Sequence, residues 1–388
     1  MSTAKFFNFL IIGTEKAGTT SPYYYNNKMN SKPNTKTVSA LIVNHNGGQE
    51  IIKCLNALYN QSTHLEEIIV VDNASTDDSP QKIKTRFPEV KLILLEDNLN
   101  LSKAHNIGLQ EVASDLVLIL DDDVYVDKDC IQYMYLAQIQ FSAAIVCPRI
   151  LLYPENKIVQ CDGAIPHFVG TMSLRHAYQP LEKLPAQTVD VHACIGACRL
   201  VDRKLIIANG SFDEEYFFNF EDLELSLRMR ALGHRIICEP KALVFHDRGL
   251  GTPQLSFRGF EDYPEKRFFL NLRQRLITIS IHYRIRTIIV LLPPILLYEM
   301  ASLVLAFQRG WISVYFSAIV SVFKARLHIR GRRRFLMENR IRTDKQLFGG
   351  GDLPLAQGLL RRRRDRKLVD ILSKIFNNYW KFARCYIG

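Results

Sequence analysis

The chain has little of what marks disulfide-stapled, zinc-ribbon or disordered proteins. Its eight cysteines in 388 residues are scattered. Only Cys194 and Cys198 stand close together, and no second pair with zinc-binding spacing follows. Reduced thiols in a cytosolic compartment are the expectation. No cleavable signal peptide is expected, since Lys5 precedes only a short apolar run, which Gly13, Glu15 and Lys16 interrupt. Glycine and proline are present in ordinary amounts, and 47% of residues are hydrophobic, which excludes a disordered or fibrous protein.

The length exceeds one usual core, so two domains, or one with appendages, are expected. The net charge of +11 is unevenly placed. From Gln308 onward there are 19 Lys and Arg against 5 Asp and Glu, so everything before is mildly acidic.

After about thirty-six residues, short apolar runs alternate with helical patterns. Val38–Val43, Ile68–Val71, Leu92–Leu95 and Leu116–Leu120 read as strands. Ile51–Tyr59, Ser79–Phe87 and Ser102–Val112 read as the helices between them. That order predicts a mostly parallel α/β sheet with helices on both faces, in which ligands bind beyond the carboxyl ends of the strands. Asn44, Asp72 and Asp121 all fall at such ends. The fourth strand runs straight into Asp121, Asp122 and Asp123. Three like charges repel unless a cation lies between them, and carboxylate oxygens suit Mg²⁺ or Mn²⁺. A solvated acidic turn is the plainer alternative for this segment taken alone.

The segments VSALIVNHNG, IIVVDNASTDDS, NLNLSKAHNIGL, LILDDDV, GSFDEEYFFNFEDLELSLRMRALGHRI and CEPKALVFH, spanning Thr37–His246, together resemble the family 2 nucleotide-sugar glycosyltransferases of GT-A fold. The last long segment is most similar to rhamnosyltransferase-type members that extend cell-surface polysaccharides. The resemblance implies that Asp72, with Asn44 and Asn73 nearby, binds the base or ribose of a UDP- or dTDP-sugar. It implies that Asp121 and Asp123 serve metal and ribose, with Asp122 on the nucleotide-sugar side and His246 able to approach the metal or diphosphate. Asp222 becomes the general base of an inverting transfer, and the adjoining Glu221 lies on the acceptor side. Without the family, Glu221 and Asp222 read simply as acids stabilised at a helix start.

Two departures are visible. The usual glycine pair before Phe-Asp-Glu appears as Asn209-Gly210-Ser211-Phe212-Asp213-Glu214, and the loop Asn98-Leu99-Asn100-Leu101 carries Asn100 where the family has glycine. Asparagine is the next-best residue for positive φ, so the turn is expected to survive. Lys103, beside it, is either a donor contact or a surface lysine.

Residues 1–36 stand apart. Phe9–Ser21 resembles the phosphosulfate-binding loop of sulfotransferases, but the match stops near Tyr25 and Asn26–Lys36 reads as a polar linker. The segment is expected to be a remnant leader, not a working sulfotransferase. In the tail, Thr287–Phe307 has the length of a membrane span, but Pro293, Pro294 and Glu299 argue against a clean one. Ile312–Phe323 is too short to cross. Helices lying in the cytoplasmic interface fit the basic balance, because anionic headgroups attract Lys and Arg. Arg332–Arg334 and Arg361–Arg364 lack any accompanying nucleic-acid recognition fold.

The expected organisation is therefore a leader (1–36), a GT-A domain (37–250) and a helical, membrane-associated tail (251–388). The expected activity is a metal-dependent, inverting glycosyl transfer to a saccharide or lipid-linked acceptor at the inner face of the cell membrane. The competing reading is a non-catalytic membrane-surface binding protein that keeps the fold.

Overall fold

The computed structural model describes residues 36–247, 263–351, 353 and 363–388, the side chains of the last stretch from 369. The sulfotransferase-like loop, the linker up to 35 and the pair 361–362 lie outside the described residues.

Strands β1 (Val38–Asn44), β2 (Ile68–Asp72), β3 (Lys91–Leu94) and β4 (Leu116–Asp121) alternate with helices α1 (Glu50–Tyr59), α2 (Ser79–Arg86) and α3 (Leu101–Glu111). Next come β5 (Val124–Val126), α4 (Cys130–Phe141), β6 (Ile145–Leu152), β7 (Val159–Cys161), β8 (Ala164–His167), β9 (Thr171–Leu174) and β10 (Val189–Asp190). Strand β11 (Cys198–Asp202), helices α5 (Arg203–Ala208) and α6 (Glu221–Ala231), and strand β12 (Ile236–His246) close this part. The tail is helical: α7 (Glu265–His282), α8 (Ile285–Arg309), α9 (Ile312–Lys324), α10 (Arg326–Asn339), α11 (Asp344–Leu347) and α12 (Arg363–Ala383).

The large sheet runs β10-β12-β6-β11-β4-β1-β2-β3, with β5 added on β12 and β7 on β6. Neighbours are parallel from β4 through β1 and β2 to β3, and between β12 and β6. Strand β11 is reversed against both β4 and β6. All seven residues of β1 and all five of β2 are buried, as strands covered on both faces require. Two apolar cores flank the sheet: one holds Ile51, Leu55 and Leu118, the other Leu41, Ile119 and Met229.

Register sets the level of the site. Asn44 is the Cα partner of Asp72, and Val43 that of Asp121, so three loops leave the sheet at one height. After the acidic turn, β5 folds back onto the end of β12, with Val124 opposite His246. That pairing carries His246 to Asp123 from 123 residues away.

A third core joins the tail to the sheet domain: Phe168, Tyr216, Leu223 and Leu227 pack with Ile277, Leu336, Phe376 and Trp380. Helix α6 is consequently buried almost throughout, including Glu224 and Arg228, which pair at 2.9 Å. The run Arg332–Arg334, part of the tail's basic balance, is largely engaged with the protein. Arg332 binds Asp213 at 3.0 Å, and Arg333 donates to the carbonyls of Ser280 and Tyr283 at 2.7 and 2.6 Å. Only Arg334 of the three is exposed, and it pairs with Glu338 on its own helix.

By length and composition α8 is apolar enough to cross a membrane. Its two sides differ. Thr287, Leu291, Ile295 and Ala306 are buried against the protein, whereas Ile285, Ile289, Leu292, Leu296, Met300, Val304 and Phe307 form an exposed apolar stripe at helical spacing. Glu299 is held by Arg275 and by the Tyr315 hydroxyl, so it belongs to the packed side.

Candidate active site

The crevice is built by loops that hold one another. Asp72, at the end of β2, is 2% exposed and accepts hydrogen bonds from Asn44 Nδ2 (2.6 Å), Ser75 N–H (3.0 Å) and Ser75 Oγ (2.7 Å). Asn73 crosses to the next loop: its Nδ2 donates to the Leu99 carbonyl and its Oδ1 accepts from Leu99 N–H, both at 2.8 Å. His45 lies between them, its Nδ1 2.9 Å from the Asn73 carbonyl oxygen and its Nε2 3.0 Å from Asn98 Nδ2. Asn44 Oδ1 is buried without a hydrogen-bond partner among the described residues. Gly47 passes so close that a Cβ there would meet Asn44 Oδ1 at 2.3 Å and Asp122 Oδ2 at 2.9 Å. Asn100 departs from expectation: its φ is −70°, not positive. It caps α3 instead, accepting from Lys103 N–H at 2.6 Å, a role glycine has no side chain to fill. The Lys103 side chain is exposed.

Asp121, Asp123 and His246 each bring one ligand atom to a common point, all within 4.8 Å of one another. His246 Nε2 lies 3.3 Å from Asp123 Oδ1, and its Nδ1 faces Gln160 Oε1 at 2.9 Å. With Gln160 accepting from Nδ1–H, Nε2 turns its lone pair towards the acids, the orientation a metal-ligating histidine needs. Two carboxylates and an imidazole suit Mn²⁺ or Mg²⁺. Burial, then the charge of Asp123, pushes Asp121 up to about 6; the same causes push Asp122 well above the usual carboxylate range. A divalent ion would reverse that pressure. Asp122 points the other way, accepting from His45 N–H at 3.3 Å.

Across the crevice, Glu221 and Asp222 open α6. The chain enters through two residues in the left-handed region, Asn219 (φ 64°) and Phe220 (φ 66°). For an aromatic residue that conformation costs about 1–3 kcal/mol and persists only where packing imposes it. Asp222 Oδ2 accepts from Gly196 N–H at 3.0 Å, and Oδ1 from its neighbour Leu223 N–H at 2.7 Å. Burial raises Asp222, while the Arg199 guanidinium and these two amides pull it back. Glu221 has a buried, unpartnered Oε2; burial and then the charge of Asp222 push it up to about 8. Of the two, Glu221 is the one held furthest towards its protonated form.

Sequence reasoning named Asn44, Asp72, Asn73, Asp121, Asp122, Asp123, Glu221, Asp222 and His246, and the fold brings all nine to this end of the sheet. It missed Gln160 and Arg199. Gln160 carried no signal, being one glutamine on a short strand. Arg199 carried one, as a lone cation inside an apolar strand.

Glu221 gives a pH prediction. Its folded pKa stands above its unfolded value, so the folded state binds the extra proton. Its contribution to stability is complete below pH about 4.5 and is lost as pH rises through about 8. Glu221→Gln cannot ionise, so relative to wild type its thermal midpoint should gain a few degrees at pH 8.5 over the difference at pH 5. An equal difference at both pH values in metal-free calorimetry would exclude a protonated Glu221.

Residues 39–209 match the family described as Glycosyl transferase family 2. An N-acetylglucosaminyl-diphospho-decaprenol L-rhamnosyltransferase of Mycobacterium tuberculosis (strain CDC 1551 / Oshkosh) is 24% identical over 240 residues, covering 56% of this chain and 78% of its own. The amylovoran biosynthesis glycosyltransferase AmsE of Erwinia amylovora is 25% identical over 207 residues, covering 50% of this chain and 70% of its own. Among solved structures, GalNAc-T7 with UDP, GalNAc and Mn²⁺ superposes with a TM-score of 0.51 at 16% identity, over 64% of this chain and 48% of its own. Staphylococcus aureus TarS 1-349 in complex with UDP-GlcNAc superposes with a TM-score of 0.50 at 18% identity, over 78% and 89%. These two likenesses speak to the fold, which is GT-A. Residues 39–209 carry a Glycosyl transferase family 2 domain.

Proposed function

We propose that the protein moves a sugar from a nucleoside-diphosphate donor, a UDP- or dTDP-sugar with rhamnose favoured, to a hydroxyl of a saccharide or lipid-linked acceptor, with inversion. The observation that carries this reading is the convergence of Asp72, the Asp121–Asp123–His246 set and Asp222 at the carboxyl end of one sheet. Residues 37–250 form the transfer domain in this reading, and 251–388 the tail that braces it. The names of the rhamnosyltransferase and amylovoran relatives favour polysaccharide building, and the decaprenol in the first favours a lipid-linked acceptor.

Each residue has a task its chemistry supports. Asn44, with its free Oδ1, Asp72 and Asn73 line the nucleotide side, with Asp122 and Lys103 at its margin. Asp121, Asp123 and His246 would hold a divalent ion, which would supply Lewis-acid neutralisation of the departing diphosphate. Asp222 accepts the proton of the acceptor hydroxyl as that oxygen attacks the anomeric carbon. The bond from this carbon to the diphosphate oxygen breaks on the opposite face, and its electron pair leaves with the nucleotide. Burial and the charge of Asp222 favour the protonated form of Glu221, which in this reading keeps a second negative charge away from the attacking oxygen.

The experiment is a nucleotide-sugar panel with Mn²⁺, read by thermal shift and by release of free nucleoside diphosphate. One donor should raise the midpoint and be turned over. A panel in which nothing binds or is cleaved would leave only a binding protein.

The apolar stripe of α8, continued by Phe316, Val320 and Phe323 on α9 and Leu327 on α10, has basic residues Arg286, Lys324, Arg326 and Arg330 exposed around it. This supports peripheral attachment to the inner, anionic face of the membrane. Leu296→Glu with Met300→Glu should abolish flotation with phosphatidylserine vesicles. Arg326→Gln with Arg330→Gln should weaken binding about fivefold per charge at low salt, at roughly 1 kcal/mol each, and less at high salt. Flotation unchanged in the glutamate variant would remove the stripe from the membrane.

A further inference from the structure

Arg199 takes no part in the steps just assigned, yet it lies beneath them. Strand β11 sets it opposite Ile119 of β4. Side chains alternate along a strand, so Ile119 and Asp121 share a face, and Arg199 stands on that same face one row below the acid. It is 0% exposed, and apart from the Cys194 thiol its three nitrogens have no hydrogen-bond partner among the described residues. A guanidinium carries five N–H donors and cannot shed its proton. Buried in this way it is costly, unless negative charge close by repays it.

That charge is present. A Cβ on Gly196 would stand 4.0 Å from Arg199 Nη2, 3.2 Å from Glu221 Oε1 and 3.9 Å from Asp222 Cβ, so all three groups gather around one bare glycine. The titratable groups facing the guanidinium are Asp121 from β4, Glu221 and Asp222 from α6, His105 from α3, Cys194 from the loop before β11 and Cys198 from β11 itself. Its charge favours the ionised form of the three acids and disfavours protonation of His105. The Phe212 ring fixes its place, centred 4.9 Å from the guanidinium carbon and 4.8 Å from the His105 ring. The same guanidinium acts on Asp222, which faces Glu221 on its own helix and Asp121 across the crevice.

We infer that Arg199 is a positioning residue of the transfer: a permanent positive charge, buried under Gly196, that holds the Asp222 carboxylate ionised and ready to take the acceptor proton. The inference rests on Asp222 being the base. Arg199→Met keeps length and packing without charge, and Arg199→Lys keeps the charge without the fork.

The test uses the full chain and the donor picked out by the nucleotide-sugar panel, with nucleotide release followed from pH 5.5 to 9. In Arg199→Met the acid limb of kcat/KM should move up by about one pH unit. On the acid limb kcat at a given pH should then be about tenfold down, donor KM little changed, and the loss should fade towards pH 9. Arg199→Lys should return the limb to its wild-type position. A loss of equal size at every pH, or an unmoved limb in a folded variant, overturns the inference. Should Arg199→Met fail to fold, Arg199→Met combined with Glu221→Gln removes one buried acid along with the cation and carries the same measurement. An Asp222 limb still at its wild-type pH in that double variant overturns it equally. Turnover surviving in Asp222→Asn would instead sink the base assignment itself. An inactive Asp222→Asn with an unmoved limb in Arg199→Met sinks only the role of Arg199.

Discussion

Asp222→Asn should lose about 10²–10⁴ in kcat while donor affinity hardly moves. The amide has the carboxylate's shape but accepts no proton at neutral pH. The surroundings add a second expectation. Both Asp222 oxygens accept backbone N–H groups, from Gly196 and from Leu223. An asparagine must turn its NH₂ towards one of these donors, leaving a buried N–H without a partner. That should cost about 1–3 kcal/mol of stability, visible as a lowered midpoint in a variant that still binds donor. The two effects separate cleanly, because the hydrogen-bond loss does not depend on acceptor. Near-normal turnover in the variant would move the base to Glu221.

Asp123→Ala should weaken Mn²⁺-dependent donor binding by about 100-fold or more, since even outer-shell partners of a metal ligand are worth about 10–100-fold. The fold should survive, because Asp123 sits in a turn, and its main-chain carbonyl, which accepts from Asp247 N–H at 3.0 Å, is untouched. Removing this carboxylate also relieves Asp121 and Asp122, both of which its charge holds up, so both should ionise at lower pH. Calorimetry with the donor, with Mn²⁺ and again with EDTA, checks the point. Donor binding equal to wild type in Mn²⁺ would remove Asp123 from the metal.

The first half of the sheet is legible because strands buried on both faces leave unbroken apolar runs. The predicted ends of β1, β2 and β4 each fall one residue short, at Asn44, Asp72 and Asp121. Hydrophobicity stops at the polar residue, whereas the hydrogen-bond ladder continues through it. Asn100 shows the opposite failure. A residue standing where glycine was expected suggests a backbone conformation, but its side chain found a capping bond that local pattern does not reveal. The Arg332–Arg334 run reads as a basic patch because charge alone gives no direction. Two of the three turn inward to Asp213 and to carbonyls of α7 and the turn after it.

The carboxylates at the strand ends, the donor-side loops and the acid pair were determined by local sequence. Their residue types sit next to apolar runs whose burial is dictated by composition within a few positions. Three things were decided only by the tertiary structure. His246 reaches Asp123 through the pairing of β5 with β12, and Gln160 reaches His246 across separate strands. Arg199 joins Glu221 and Asp222 around Gly196 because β11 runs backwards beside β4. The tail closes on α6, burying Glu224 and Arg228 within the helix that carries Asp222. Each depends on which strands and helices become neighbours, and that is set by burying apolar faces far apart in the chain, where no local pattern carries the information.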